Sequence, residues 1–279
     1  MQKDQLLTRR RALLAGVVSL GAAGVAAVFA PGIGYRAAPA PPPAAGARAA
    51  RRPLKPSEYR LRPLTGYGPP HTPRGGTPVR REPLLRVPGH GRAVVLSFDD
   101  GPDPRYTPHI LDILARYEVR AMFFVCGEMV AHQRDLVARM TDEGHVVGNH
   151  TWSHPLLTRL RSGRIRSEME RTSDVVEQAC GERPEWFRAP YGAWNRATFR
   201  IGAELGMEPL AWTVDTLDWT EPGTRTIVGR VEDGAAPGVV VLSHDAGGDR
   251  SQSVRALRAY LPGLLDSGYH VTVPRRQYV

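Results

Sequence analysis

The chain predicts an α/β fold of parallel strands with outer helices over residues 93–279. Two observations carry this. From Ala93 onward, short apolar runs alternate with amphipathic ones, making about seven strand–helix units, a pattern that calls for parallel strands joined by helical crossovers. The polar segments rich in Asp, His and Arg fall at or just after the ends of those strands, where parallel α/β folds collect their chemistry.

In chain order, Ala93–Phe98 reads as a buried strand because its apolar run is unbroken until Ser97. Thr107–Tyr117 reads as a helix, with Ile110, Leu111 and Leu114 at helical spacing. Ala121–Val125 is a strand and Arg134–Glu143 a helix; Val146–Asn149 is a strand and Ser162–Cys180 a helix. Glu185–Arg188 is a strand, followed by a helix over Asn195–Leu205 with Asn195 as its N-cap. Pro209–Val214 reads as one strand, Thr224–Asp233 as a helix capped by Thr224, Val239–Leu242 as a strand, Ser251–Leu265 as a helix and Tyr269–Val273 as the closing strand. No internal repeat is visible.

The N-terminal third has a different character. The net charge is +9, but residues 93–279 hold twenty-one Lys/Arg against twenty-five Asp/Glu, so the positive excess lies entirely before them. A nucleic-acid-binding domain would carry the positive surface itself, so nucleic acid is not an expected partner. Lys3 and Arg9-Arg10-Arg11 precede an uncharged run from Ala12 to Ala30, which is the pattern of an export signal. Residues 1–40 therefore read as an export signal or an N-terminal membrane anchor. Thr8-Arg9-Arg10-Arg11 also resembles a twin-arginine signal. At about 1.5 Å rise per residue, an uncleaved helix over Ala12–Ala30 nearly spans a bilayer core of about 30 Å. All these readings put the rest of the chain outside the cytoplasm. Residues 41–92 read as a Pro/Arg-rich linker, since residues 31–92 hold 14 of the 25 prolines and show no apolar period. Cys126 should end a strand and Cys180 a helix, which puts them on opposite faces and argues against a disulfide even in an exported protein.

Five segments stand out: Ser97-Phe98-Asp99-Asp100-Gly101-Pro102, His150-Thr151-Trp152-Ser153-His154, Arg188-Ala189-Pro190-Tyr191, Asp215-Thr216-Leu217-Asp218-Trp219 and Leu242-Ser243-His244. His150 and His154 are four apart, so one helical turn would project both from the same side, and imidazole is a common ligand of zinc and similar ions. Asp99-Asp100 supplies carboxylates close by; adjacent residues at a strand end can point apart, leaving one for metal and one for proton transfer. Taken alone, two histidines are weak evidence, and Asp-Gly-Pro after a strand is an ordinary turn.

Together, and in this order, the five segments resemble the motifs of the polysaccharide deacetylases, carbohydrate esterase family four, also called the NodB-homology domain. The resemblance covers about residues 93–275 and extends to Thr107-Pro108 and Ile110-Leu111; Ser97 stands where Thr is common, and Ala189 where Pro is frequent. It implies a distorted (β/α)7-type barrel and a divalent metal, Zn2+ by default, with Co2+ or Ni2+ as possible substitutes. It further implies that Asp100, His150 and His154 hold the metal, that Asp99 is the general base, and that Arg188 fixes Asp99 by an ion pair. Tyr191 would offer its backbone N–H to the oxyanion. His244 would be the general acid, oriented by Asp218, while Trp219 walls the pocket and Leu242 lines the acetyl site. The expected reaction is removal of N-acetyl groups from an N-acetylglucosamine polymer of the peptidoglycan or chitin type. An O-acetyl xylan esterase and a catalytically inert glycan-binding homologue are the alternatives.

Overall fold

The computed structural model describes residues 77–87 and 91–274. The expected signal or anchor at 1–40, and the linker at 41–76 and 88–90, lie outside the described residues. Among the described residues no helix is long and apolar enough to cross a membrane.

The elements run β1 (Ala93–Asp99), α1 (Thr107–Arg116), β2 (Met122–Val125), α2 (Gly127–His132), α3 (Arg134–Asp142), β3 (Val146–Asn149), α4 (Ser162–Cys180), β4 (Trp186–Phe187), α5 (Arg196–Glu204), β5 (Glu208–Pro209), β6 (Val214–Asp215), α6 (Thr224–Gly234), β7 (Val240–His244), α7 (Ser251–Asp266) and β8 (His270–Val271). The strands lie in the order β5-β4-β3-β2-β1-β7-β6, with β8 pairing with the start of β1, and every pairing is parallel. The sheet is a curled, open barrel with helices outside it, as the fold class anticipates.

Alternation along the strands sorts side chains to its two faces. On β1, Val94, Leu96 and Phe98 join the large cluster under α1 and α7, which includes Leu111, Leu114, Leu257 and Leu261. Val95 instead joins the smaller cluster inside the curl with Met122, Phe124, Trp186, Leu210 and Val240. Ser97 and Asp99 continue that inner face toward the C-terminal end of β1. The strand that places the base candidate is thus held by apolar residues on the other face, each worth about 1.5–3 kcal/mol when fully buried.

Three expectations are corrected and one helix, α2, was not anticipated. Residues 209–214 do not form one strand: β5 lies at one edge of the sheet and β6 at the other. Pro209 explains the first half, because Glu208 and Leu210 donate to the carbonyls of Glu185 and Phe187 and the missing N–H of Pro209 falls on the side away from β4, where an edge strand tolerates it. The chain then crosses the open side of the curl, and the lead-in segment covers part of it. Leu84 donates to Pro209 O at 2.9 Å and accepts from Ala211 N at 2.8 Å, while Arg86 bridges to Val239. His150–His154 is not a helical turn but irregular loop. Helix α2 went unread because its six residues are too few to show a period. The N-cap of α6 is Gly223, not Thr224, which is already helical. Asn195 caps α5 as expected: its side chain accepts from Thr198 N, and Thr198 reciprocates. Cys126 and Cys180 are unpaired. Of the tryptophans whose place was open, Trp194 packs between Phe187 and Phe199, Trp152 against the large cluster, and Trp212 against the inner one.

Candidate active site

The site lies where β1, β3, β4 and β7 end. Asp99, the last residue of β1, is buried. Asp100 turns away from it with φ 76, so the two neighbouring carboxylates are free for different tasks. A second constraint shapes this turn: a Cβ on Gly101 would collide with the carboxylate of Asp245. Asp245 is itself buried, with Thr107 Oγ1 donating to its Oδ2 at 2.5 Å. It backs the turn from behind.

The two histidines reach Asp100 from the loop after β3. His150 is buried, and its Nδ1 lies 2.8 Å from the carbonyl of Arg188. That carbonyl requires a proton on Nδ1, which leaves the Nε2 lone pair facing the carboxylates. Nε2 of His150 is 3.6 Å from Asp100 Oδ1, and Nε2 of His154 is 3.3 Å from the same atom. Burial first, and His154 beside it second, push the His150 imidazole down to about 3, so it is neutral, as a ligand must be. The ligand atoms of Asp100, His150 and His154 all lie within 4.8 Å of one another, and Asp100 Oδ1 is a buried acceptor with no hydrogen-bond partner. Two imidazoles and one carboxylate converging on an unsatisfied oxygen fit a divalent cation with open positions for other ligands.

Arg188 directly follows β4 and is fully buried inside the curl, over the ring of Phe124 at 4.0 Å. Its Nη1 donates to Asp99 Oδ1 at 2.6 Å and to Ser97 Oγ at 3.0 Å. Its Nε and Nη2 donate to the carbonyls of Leu210 and Ala211 at 3.1 and 2.9 Å. Those carbonyls are free for it because the 209–214 segment crosses the opening instead of pairing as a strand. Ser97, noted only as a departure from the usual Thr, therefore helps hold the arginine. The Asp99 carboxyl sits above the usual carboxylate range: burial raises it, and Arg188 offsets this only in part.

On β7, His244 stands in register with Asp99 of β1. Its ring Nδ1 is 2.7 Å from Asp218 Oδ1, and its backbone N–H donates to Asp218 Oδ2 at 2.9 Å. Ser253 Oγ also donates to Oδ2, at 2.5 Å. Burial alone would lower the His244 imidazole, but the bond to Asp218 and the acidic groups around it raise it to about 9. Arg250, buried at the start of α7, donates to the Asp218 carbonyl at 2.9 Å.

The structure gathers Asp99, Asp100, His150, His154, Arg188, Asp218 and His244 at the ends of the strands. Tyr191 lies in the turn after β4 with φ 62; its exposed ring meets His154 edge-on at 4.6 Å. Trp219 follows Asp218 in a turn and is half-buried. Leu242 is buried on β7, two residues before His244 and on the same inner face. Among the described residues seven non-glycines have positive φ, and Asp100, Thr151, His154 and Tyr191 are four of them. Such conformations cost about 1–3 kcal/mol each and gather at functional sites. Asp245, Arg250 and Ser253 were missed, since a polar residue within a helix or after His244 has no sequence pattern that separates it from a surface residue.

Comparison with known proteins agrees with this geometry. A family model described as polysaccharide deacetylase matches residues 86–210. A chitooligosaccharide deacetylase of Bradyrhizobium sp. (strain ANU 289) is 40% identical over 192 residues, covering 64% of this chain and 88% of that one. A peptidoglycan-N-acetylglucosamine deacetylase of Bacillus cereus is 39% identical over 190 residues, covering 67% and 89%. The crystal structure of the Bc1960 peptidoglycan N-acetylglucosamine deacetylase superposes with a TM-score of 0.66 at 35% identity, covering 68% of this chain and 89% of that one. The chain belongs to the polysaccharide deacetylase family, and with it to the hydrolases.

Proposed function

We propose that this protein is an exported, zinc-dependent N-deacetylase of an N-acetylglucosamine-containing polymer, of the peptidoglycan or chitin type. One observation carries the reading: a complete ligand triad, Asp100, His150 and His154, lies beside a buried carboxylate held by arginine and a histidine held by aspartate. The names of the similar proteins, which act on chitooligosaccharide or peptidoglycan, support the substrate class. Residues 1–40 support export or anchoring.

A bound divalent ion supplies Lewis-acid polarisation of the acetamide carbonyl and a lowered pKa for water at the site. The chain's own residues supply the rest. Asp99, whose carboxyl is raised by burial, takes a proton from the attacking water as general base. Arg188 holds Asp99 in place and, being locked by four acceptors, cannot swing away. The backbone N–H of Tyr191 is offered to the oxyanion, the term that dominates many acyl transfers. His244 holds its proton near neutral pH because Asp218 stabilises the imidazolium; it gives that proton to the departing amine. Asp218 stays ionised throughout and fixes the ring. Leu242 and Trp219 form an apolar wall for the acetyl methyl and the sugar.

Mass spectrometry of a glycan panel tests this. The full-length protein with zinc is incubated with chitin oligomers, peptidoglycan fragments and acetylated xylan, each with and without a chelator. Chelator-sensitive loss of acetyl groups from an N-acetylglucosamine polymer is the expected result. Loss from xylan alone would make the protein an O-acetyl esterase. No loss from any member, with zinc bound, would favour an inert glycan-binding protein.

A further inference from the structure

We propose that Glu168, in the middle of α4, is a positioning residue for the metal site: it fixes the segment that aims His154 at Asp100. The inference rests on the reading that Asp100, His150 and His154 hold a metal ion. Glu168 is 1% exposed, and carboxylates are almost never buried so fully unless they are paired. Its partners show what it is for. Both of its oxygens face one residue: Ser153 N–H donates at 2.9 Å and the Ser153 hydroxyl lies 3.2 Å from each oxygen. The remaining partner, Arg164 at 2.9 Å, is more than half exposed and comes from the preceding turn of the same helix.

Ser153 immediately precedes His154, which is held at φ 53, and Thr151 is at φ 70. A loop with two left-handed residues keeps its shape only if its surroundings over-determine it. The first half is pinned by other groups. Asn149 Oδ1 accepts from Thr151 N at 2.8 Å, and its Nδ2 donates to Met169 O at 2.8 Å and Ser173 Oγ at 3.1 Å, both on α4. Gly127 N and Glu128 N donate to the carbonyls of Thr151 and Trp152 at 3.0 and 3.1 Å. Glu168 is the next anchor along the chain and the last before His154. The two ligands differ in this respect: the His150 ring is fixed by a hydrogen bond to the Arg188 carbonyl, while His154 is braced by its loop and by Tyr191, whose ring meets it edge-on at 4.6 Å and whose hydroxyl donates to its carbonyl at 3.4 Å. Glu168 does not reach the ligands and takes no part in the reaction.

Zinc titration of the metal-free full-length protein against a competing chromophoric chelator tests this, together with its thermal melt. Glu168→Gln removes the charge and replaces one acceptor with a donor; Glu168→Asp keeps the charge and shortens the reach. Both are expected to raise the zinc Kd by about tenfold or more, the range for losing groups that orient metal ligands. The metal-free melting temperature should change little. Arg164→Ala, which removes only the exposed partner, should leave the Kd unchanged. Ser153→Ala should weaken binding several-fold, and it carries the test if the Glu168 variants do not fold. A wild-type Kd in a folded Glu168 variant, or in Ser153→Ala if neither folds, overturns the proposal while leaving the metal reading intact. Wild-type protein that binds no zinc, with Asp100→Ala indistinguishable from it, overturns the metal reading and this inference with it.

Discussion

Two buried carboxylate–cation pairs stand side by side at the ends of β1 and β7, and burial has opposite outcomes in them. Asp99, facing Arg188, ends above the usual carboxylate range. Asp218, facing His244, ends below it, although burial is again the largest single influence and pushes upward. The difference lies in how many donors reach each carboxylate. Arg188 divides its donors among Asp99, Ser97 and two carbonyls, so Asp99 receives only part of them. Asp218 receives the His244 backbone N–H, the His244 ring and the Ser253 hydroxyl. Hydrogen bonds to the charged form outweigh desolvation when there are enough of them. The outcome suits the proposed roles: a base that must accept a proton, and an orienting group that must never take one.

The hardest test of the first pair is Asp99→Asn. Its shape is kept, so metal affinity should hold, while turnover should fall about 10³-fold, within the range for loss of a general base. Steady-state rates alongside a zinc titration check it; a variant with more than a tenth of wild-type turnover would show that Asp99 is not the base.

Arg188→Met attacks the same pair from the other side. It leaves Asp99 buried without its cation and strips the Leu210 and Ala211 carbonyls of their donor. Breaking a buried pair in this way costs about 3–5 kcal/mol, measurable by urea denaturation. Adding Asp99→Asn should recover part of the loss, since the uncompensated charge is then gone. If the double variant is less stable than Arg188→Met alone, the pair is not coupled as described.

In the second pair, Asp218→Asn should lower kcat by about 10²-fold, at the lower end for general acid–base effects, and should move its pH dependence. His244 must be protonated to act, so activity falls as pH rises through its pKa; losing Asp218 should move that fall toward lower pH. Stability gives an independent reading in the metal-free protein. The folded-state value of His244, about 9, lies above its ordinary 6.5. The stabilisation from its charge is therefore complete below about 6.5 and is lost as pH rises through about 9. The melting-temperature gap between wild type and Asp218→Asn should narrow over that window. A gap that stays constant with pH would mean the imidazolium is not what Asp218 stabilises.

Neither pair was legible in the sequence without the family resemblance. His244 ends a strand whose apolar run was readable, whereas Asp218 follows a run misread as one strand, and its pairing with His244 came from the resemblance; the elements β1, β3 and α4 were found almost to the residue because their apolar patterns are strong. Arg188 could be matched to Asp99 only through the family resemblance, because the carbonyls that hold it depend on the chain leaving β5 and crossing the open side of the curl. A proline at a strand start marks an edge, but the reading of Pro209–Val214 as one strand does not use that signal. The His150–His154 spacing suggested that the two side chains converge, but not how: they do so through two left-handed residues, Thr151 and His154, which residue identity did not reveal. Glu168 had no local signature, since its partner is fifteen residues away in a loop.

A change outside both pairs separates geometry from stability. Asn195 caps α5, accepting from Thr198 N at 2.9 Å while Thr198 Oγ1 accepts from Asn195 N at 3.1 Å. The helix packs Ile201 into the cluster containing Phe187 and Met207, behind β4 rather than at the site. Asn195→Ala should therefore cost about 1 kcal/mol, the usual loss for an N-cap, and leave kcat, the zinc Kd and the pH profile unchanged. If this small loss reduced turnover as Asp218→Asn does, the site would be sensitive to stability in general. The contrast between the two pairs would then have to be read from pKa shifts alone. If activity is unchanged, the losses at Asp99 and Asp218 belong to the groups themselves.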